Sequence, residues 1–181
     1  MSRVDILENS KIPIKPYLEQ LERIKRWKKR LDDMRYSKSP ENKIPDQIDF
    51  ILSFFINCFH LRDFLKYSKP VSDDIINRFF EDNIEMQICR DICNESKHCS
   101  LENPSIGARI PGTNKKSAKG WDGICLVKEY DPFQEVLKNN NPIKNIKYVI
   151  LTEGVKYDVF DLTDRCLILW QNFFEKYNLL K

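Results

Sequence analysis

Between Ile48 and Phe64 the chain leaves a helix almost no polar side. Ile48, Ile51, Leu52, Phe55, Cys58, Phe59 and Phe64 spread around the helical wheel, the pattern of a helix enclosed by others rather than one lying on a surface. Such a helix, expected over residues 46–67, needs neighbours with apolar faces, and the sequence supplies them. Over residues 15–36, Tyr17, Leu18, Leu21, Ile24, Trp27, Leu31 and Met34 form one stripe. Met86, Cys89, Ile92 and Cys93 do so over residues 85–97. Cys166, Leu167, Leu169, Trp170, Phe173, Phe174 and Tyr177 give residues 162–178 a broad apolar face. Ser72, Asp73 and Asp74 offer an N-cap and early acids for a short helix through Phe80. The expected fold is mainly α: four to five helices in a bundle, with a small antiparallel β insert before the C-terminal helix.

The 181 residues are read as a single domain, with 15–98 and 161–178 as the bundle and 99–160 as a basic loop and small β insert. Two prolines and polar residues make 37–45 a linker, and Pro70 ends the second helix. Residues 100–123 combine prolines, glycines and lysines in a turn-rich stretch, so strands are expected only after Gly120. Residues 124–127 are a strand candidate, 139–142 a turn, and 148–151 with 155–160 a hairpin. Asp161 and Asp164 bracket a capping arrangement that opens the last helix. No apolar run is long enough to cross a bilayer, and the N-terminus lacks a signal core, which points to the cytoplasm. There the six cysteines are expected as free thiols.

Only two histidines occur, and each sits in a polar cluster inside an apolar, helix-periodic segment. Arg90, Asn94 and His98 follow i, i+4, i+8 spacing and share one helical face, with Asp91 beside it. His60 and Asp63 are i, i+3 neighbours on the preceding long helix. Should the two helices pack together, the groups converge, and a histidine near a carboxylate and a cation can serve as general base or acid. A plainer role fits the same residues: Asn94, Lys97 and His98 finish a helix, while His60 and Asp63 bond to nearby backbone.

A helical bundle with an Arg-Asp pair followed by a histidine on one helix resembles the HEPN superfamily, over residues 46–98 and the closing helix. Many of its members are metal-independent ribonucleases of prokaryotic toxin and defence systems, acting as dimers in which Arg and His of both protomers meet. The resemblance implies Arg90 as the arginine, Asp91 as its polar neighbour and His98 as the histidine. Seven residues separate Arg90 from His98, where the superfamily pattern has four to six. It further implies that His98 acts on an RNA 2′-hydroxyl, Arg90 stabilises phosphate charge, and Asp91 and Asn94 orient them. A homodimer is the implied assembly.

Arg23, Lys25, Arg26, Lys28, Lys29 and Arg30 crowd one side of the first helix, a face suited either to RNA phosphates or simply to water. Cys89, Cys93, His98 and Cys99 lack a regular zinc spacing, so no metal and no cofactor is assigned. No phosphate-cradling glycine loop, serine nucleophile elbow or zincin pattern is present. Two functions therefore stand side by side. One is a HEPN-like ribonuclease or toxin component with RNA as partner. The other is a non-catalytic bundle, scaffold or antitoxin-like, that binds a protein.

Overall fold

The computed structural model describes residues 15–35, 44–98, 108–109, 116–117, 125–130, 136–138, 141–143, 146–152 and 155–180. It is mainly helical: α1 Pro16–Arg35, α2 Ile44–Ser68, α3 Asp73–Asp82, α4 Ile84–His98 and α5 Val159–Lys176. Between α4 and α5 lie β1 Ala108–Arg109, β2 Lys116–Ser117, β3 Cys125–Tyr130, β4 Val136–Lys138, β5 Asn141–Ile143, β6 Ile146–Thr152 and β7 Val155–Asp158. All pairings are antiparallel: β1 with β2, β4 with β5, and a three-stranded sheet in the order β3-β6-β7. Among the described residues, no helix is long and apolar enough to cross a membrane.

One hydrophobic cluster joins all five helices to β6. α2 is its axis: Ile51, Phe54, Phe55, Cys58, Leu61 and Leu65 are buried at successive turns. Trp170 of α5 lies against Phe79 and Phe80 of α3 and Phe173 and Phe174 of its own helix, in tilted and edge-on contacts. Polar ties fix the packing. Gln20 Nε2 donates to the Asn57 carbonyl and to Asn57 Oδ1, at 3.0 and 3.1 Å, which seats α1 on α2. The Tyr148 hydroxyl donates to Gln47 Oε1 at 2.6 Å, holding β6 against α2.

Several boundaries depart from the sequence expectation. The expected linker through residue 45 is shortened, because Ile44 and Pro45 already belong to α2; proline fits the first turn, where its missing N–H has no intrahelical partner. The rest of that linker lies outside the described residues. Ser72 precedes α3, but its side chain makes no capping hydrogen bond. β1 and β2 fall before Gly120, where only turns were expected; a two-residue ladder is too short to leave a period in the sequence. Asn141 and Pro142, expected in a turn, belong to β5, and a proline is tolerated there because, among the described residues, β5 pairs along one edge only, with β4. The second hairpin arm ends at Asp158, not at residue 160. There the Asp158 carboxylate accepts from the N–H groups of Phe160 and Asp161, at 2.9 and 3.1 Å, and starts α5 three residues early.

Candidate functional site

α4 is buried on more than one side. Met86, Ile88, Cys89, Ile92 and Cys93 enter the core, and Asp91 is also buried, at 1% exposure. Arg90, Asn94 and Glu95 are half-buried beside it. The helix extends to His98, so Arg90, Asn94 and His98 do share one side, with about 12 Å of axial rise between the first and last. The His98 side chain lies outside the described residues. His60 on α2 reaches α4: its Nε2 is 3.6 Å from Cys93 Sγ, one residue before Asn94. Asp63 instead faces solvent, with Arg62 Nη1 3.8 Å away. The structure thus brings His60 to the Arg90–Asn94 segment and leaves Asp63 at the surface.

Electrostatics around Arg90 are mixed. Burial lowers its pKa, nearby Asp91 and Glu81 oppose that shift, and the neighbouring Arg62 adds to it; the net direction is down. Glu95 is pushed up by burial and then by the charge of Asp91. Arg62 and Lys66, one turn apart on α2, both donate to Asn77 Oδ1 of α3, at 3.3 and 2.6 Å. Burial and then Arg62 lower the Lys66 pKa. Arg62 therefore adds positive charge beside Arg90, and Lys66 lies next to it through Asn77, a feature the sequence reading missed. Their i, i+4 spacing was visible, but not which residues they would face across α3 and α4.

Set against known proteins, the chain matches no family model, no curated protein and no solved structure.

The basic side of α1 is more neutralised than its composition suggests. Lys25 pairs with Glu22 at 2.6 Å, Arg26 with Glu19 at 2.7 Å and Lys29 with Asp33 at 3.4 Å. Arg30 stacks over the Trp27 ring at 4.3 Å, and Arg23 is exposed. Lys28 corrects the expectation of a solvated basic face. It is buried, with its ammonium held by Asp32 at 2.5 Å and by Asp164 of α5 at 2.7 Å. Burial pulls its pKa down, but the hydrogen bonds to the two carboxylates outweigh that, and the net shift is upward. The reason is geometric: α5 packs on that side of α1 and roofs over the lysine.

A second constellation went unread because its members are far apart in sequence. Cys58 of α2, Cys89 of α4 and Cys166 of α5 are fully buried, and their sulfurs all lie within 4.8 Å of one another. Cys89 and Cys166 are 3.6 Å apart. Burial raises the Cys89 and Cys166 thiols. At Cys58 the same burial effect is outweighed by its polar neighbours, the Cys166 and Cys89 thiols and then the Trp170 indole, so its pKa falls below the ordinary thiol range. Cys89 and Cys93, which looked like neighbours in one stripe, go separate ways: one to this cluster, the other to His60.

Proposed function

We propose that this chain is a HEPN-like, metal-independent ribonuclease, a toxin or defence component acting in the cytoplasm as a homodimer. The observation that carries the reading is the approach of His60 and Arg62 of α2 to the Arg90–Asn94 segment of α4, with Lys66 joined to Arg62 through Asn77. Arg90 supplies charge for a scissile phosphate, and Arg62 and Lys66 extend the cationic surface along which RNA would run. His98, at the end of the same helix, serves as general base or acid toward the 2′-hydroxyl, with Asp91 and Asn94 orienting the pair. In a dimer, the arginine of one protomer and the histidine of the other share one phosphate, so the seven-residue spacing need not be closed within a single helix.

The test is cleavage of mixed RNA by the purified chain in chelator. His98→Ala should lower the rate by roughly 10²–10⁴-fold, the usual contribution of a positioned general acid or base. Arg90→Ala should be similarly impaired, while Arg23→Ala should change only affinity and its salt dependence. Equal rates for wild type and His98→Ala reject the assignment.

A specific feature favours a second reading, a non-catalytic bundle that binds a protein. A groove of about 310 Å³ between α3 and α5 is lined by Ile75, Phe79, Leu169 and Tyr177, which are partly buried, over the buried Phe173, with Arg78, Asp82 and Lys176 beside them. Absence of cleavage, together with a stably co-purifying protein whose release follows Phe79→Glu, makes that reading the better one.

A further inference from the structure

We propose that Cys58, Cys89 and Cys166 form a structural site for one divalent thiophilic metal ion, of the Zn²⁺ class, at the junction of α2, α4 and α5. Thiolates select soft and borderline ions, and three from three separate helices make a clamp, not a surface chelate. A metal–sulfur bond of about 2.3 Å puts sulfurs of one site about 3.7–4.0 Å apart, so the 3.6 Å between Cys89 and Cys166 needs almost no movement. The remaining separations, all within 4.8 Å, close by side-chain rotation. An oxygen stands at the rim, the Glu85 carbonyl 4.0 Å from Cys166 Sγ, available as a fourth ligand.

A second observation points to the same place. The Trp170 indole Nε1 is fully buried without a completed hydrogen bond. It lies on the Cys58 side of the cluster. An unpaired indole N–H costs stability beside a neutral thiol, and finds its use as a donor to a metal-bound sulfur. Charge decides the valence. Three thiolates and a divalent ion leave one negative charge, which the indole dipole faces; a monovalent ion would leave two in a dry core. On binding, each sulfur still carrying a proton releases it to solvent as its bond to the metal forms, so affinity weakens as pH is lowered. All three sulfurs are inaccessible in the folded chain, so the ion enters during folding and leaves only on opening of the bundle.

The experiment uses the full chain carrying Cys99→Ser and Cys125→Ser, which leaves only the three cluster thiols and Cys93. It is unfolded, refolded with one equivalent of Zn²⁺ or Cd²⁺, and desalted. One ion per chain should be retained, with a thiolate-to-Cd²⁺ charge-transfer band and an unfolding midpoint above that of chain refolded in chelator. Cys58→Ser, Cys89→Ser and Cys166→Ser should each lower retention at least tenfold, whereas Cys93→Ser, equally buried but beside His60, should retain the ion. A serine variant that fails to refold is replaced by its alanine counterpart. No retained ion in the parent chain, or retention unchanged in the Cys58 variant, overturns the proposal. None of the three cysteines belongs to the ribonuclease reading, so either can fail without the other.

Discussion

Lys28 is where burial and charge can be set against each other by mutation. Its side chain is 8% exposed, while the carboxylates it holds, Asp32 and Asp164, are 37% and 50% exposed. The two sides of the pair are therefore unequal. Removing the lysine returns two half-exposed carboxylates to water; removing the carboxylates strands an ammonium in the core. Lys28→Met keeps the stem's packing against α5 and should cost no more than about 1 kcal/mol, since apolar replacements of buried ion pairs are often near neutral. Asp164→Asn, which leaves Asp32 in place, should cost about 1–2 kcal/mol, the range for losing a charged hydrogen bond. Asp32→Asn with Asp164→Asn should cost about 3–5 kcal/mol, as for a buried charge without its partner. In a chain of this size, each kcal/mol is about 2–4 °C in melting temperature. Urea unfolding at neutral pH reads the series. The pH dependence has a definite sign. The folded pKa of Lys28 is raised above 10.5, so its contribution is complete below that value and disappears as pH rises through the higher folded value. Lys28→Met as damaging as the double carboxylate variant would refute the reasoning, because it would mean the pair itself, and not the stranded charge, carries the energy.

Other expectations follow from single contacts. Phe55→Ala, at a fully buried position of α2, should cost about 3–5 kcal/mol in chemical unfolding. Asp158→Ala removes the acceptor for two N–H groups at the start of α5 and should cost about 0.5–2 kcal/mol, with Asp158→Ser recovering most of it. Glu95→Gln should stabilise the chain at neutral pH. The folded pKa of Glu95 is raised, so the native form gains relative stability as pH falls toward that pKa and loses it as pH rises through it; the glutamine variant should flatten that dependence.

Helix positions were readable because each apolar stripe keeps the 3.6-residue period, and α1, α2 and α4 begin and end within two residues of the bounds expected from them, 15–36, 46–67 and 85–97. The start of α5 was less readable. Val159 and Phe160 alternate with Asp158 and Tyr157 as a strand would, and only the capping geometry at Asp158 reveals that the helix has begun. Lys28 looked solvated because the basic residues around it are, and nothing in α1 says that α5 covers that one position. At the candidate site, the shared face of Arg90 and Asn94 was legible from spacing, and the reach of His60 to α4 was an expectation about packing. The cysteine cluster was invisible for a simpler reason. Its members come from three helices, and each alone is an ordinary small apolar residue in a core stripe.

β7 passes into α5 with no residue between them: Asp158 ends the strand and Val159 starts the helix. The sheet therefore works as an index for the helix. Every residue of slip along β6 would shift the start of α5 by about 3.3 Å and flip the strand's faces. The ladder from Val149–Asp158 to Thr152–Val155 thus sets where α5 starts, and with it the position from which Cys166 and Trp170 enter the core. A rigid joint of this kind lets a load on the exposed side of the hairpin arrive in the core as torsion, with no flexible hinge to absorb it.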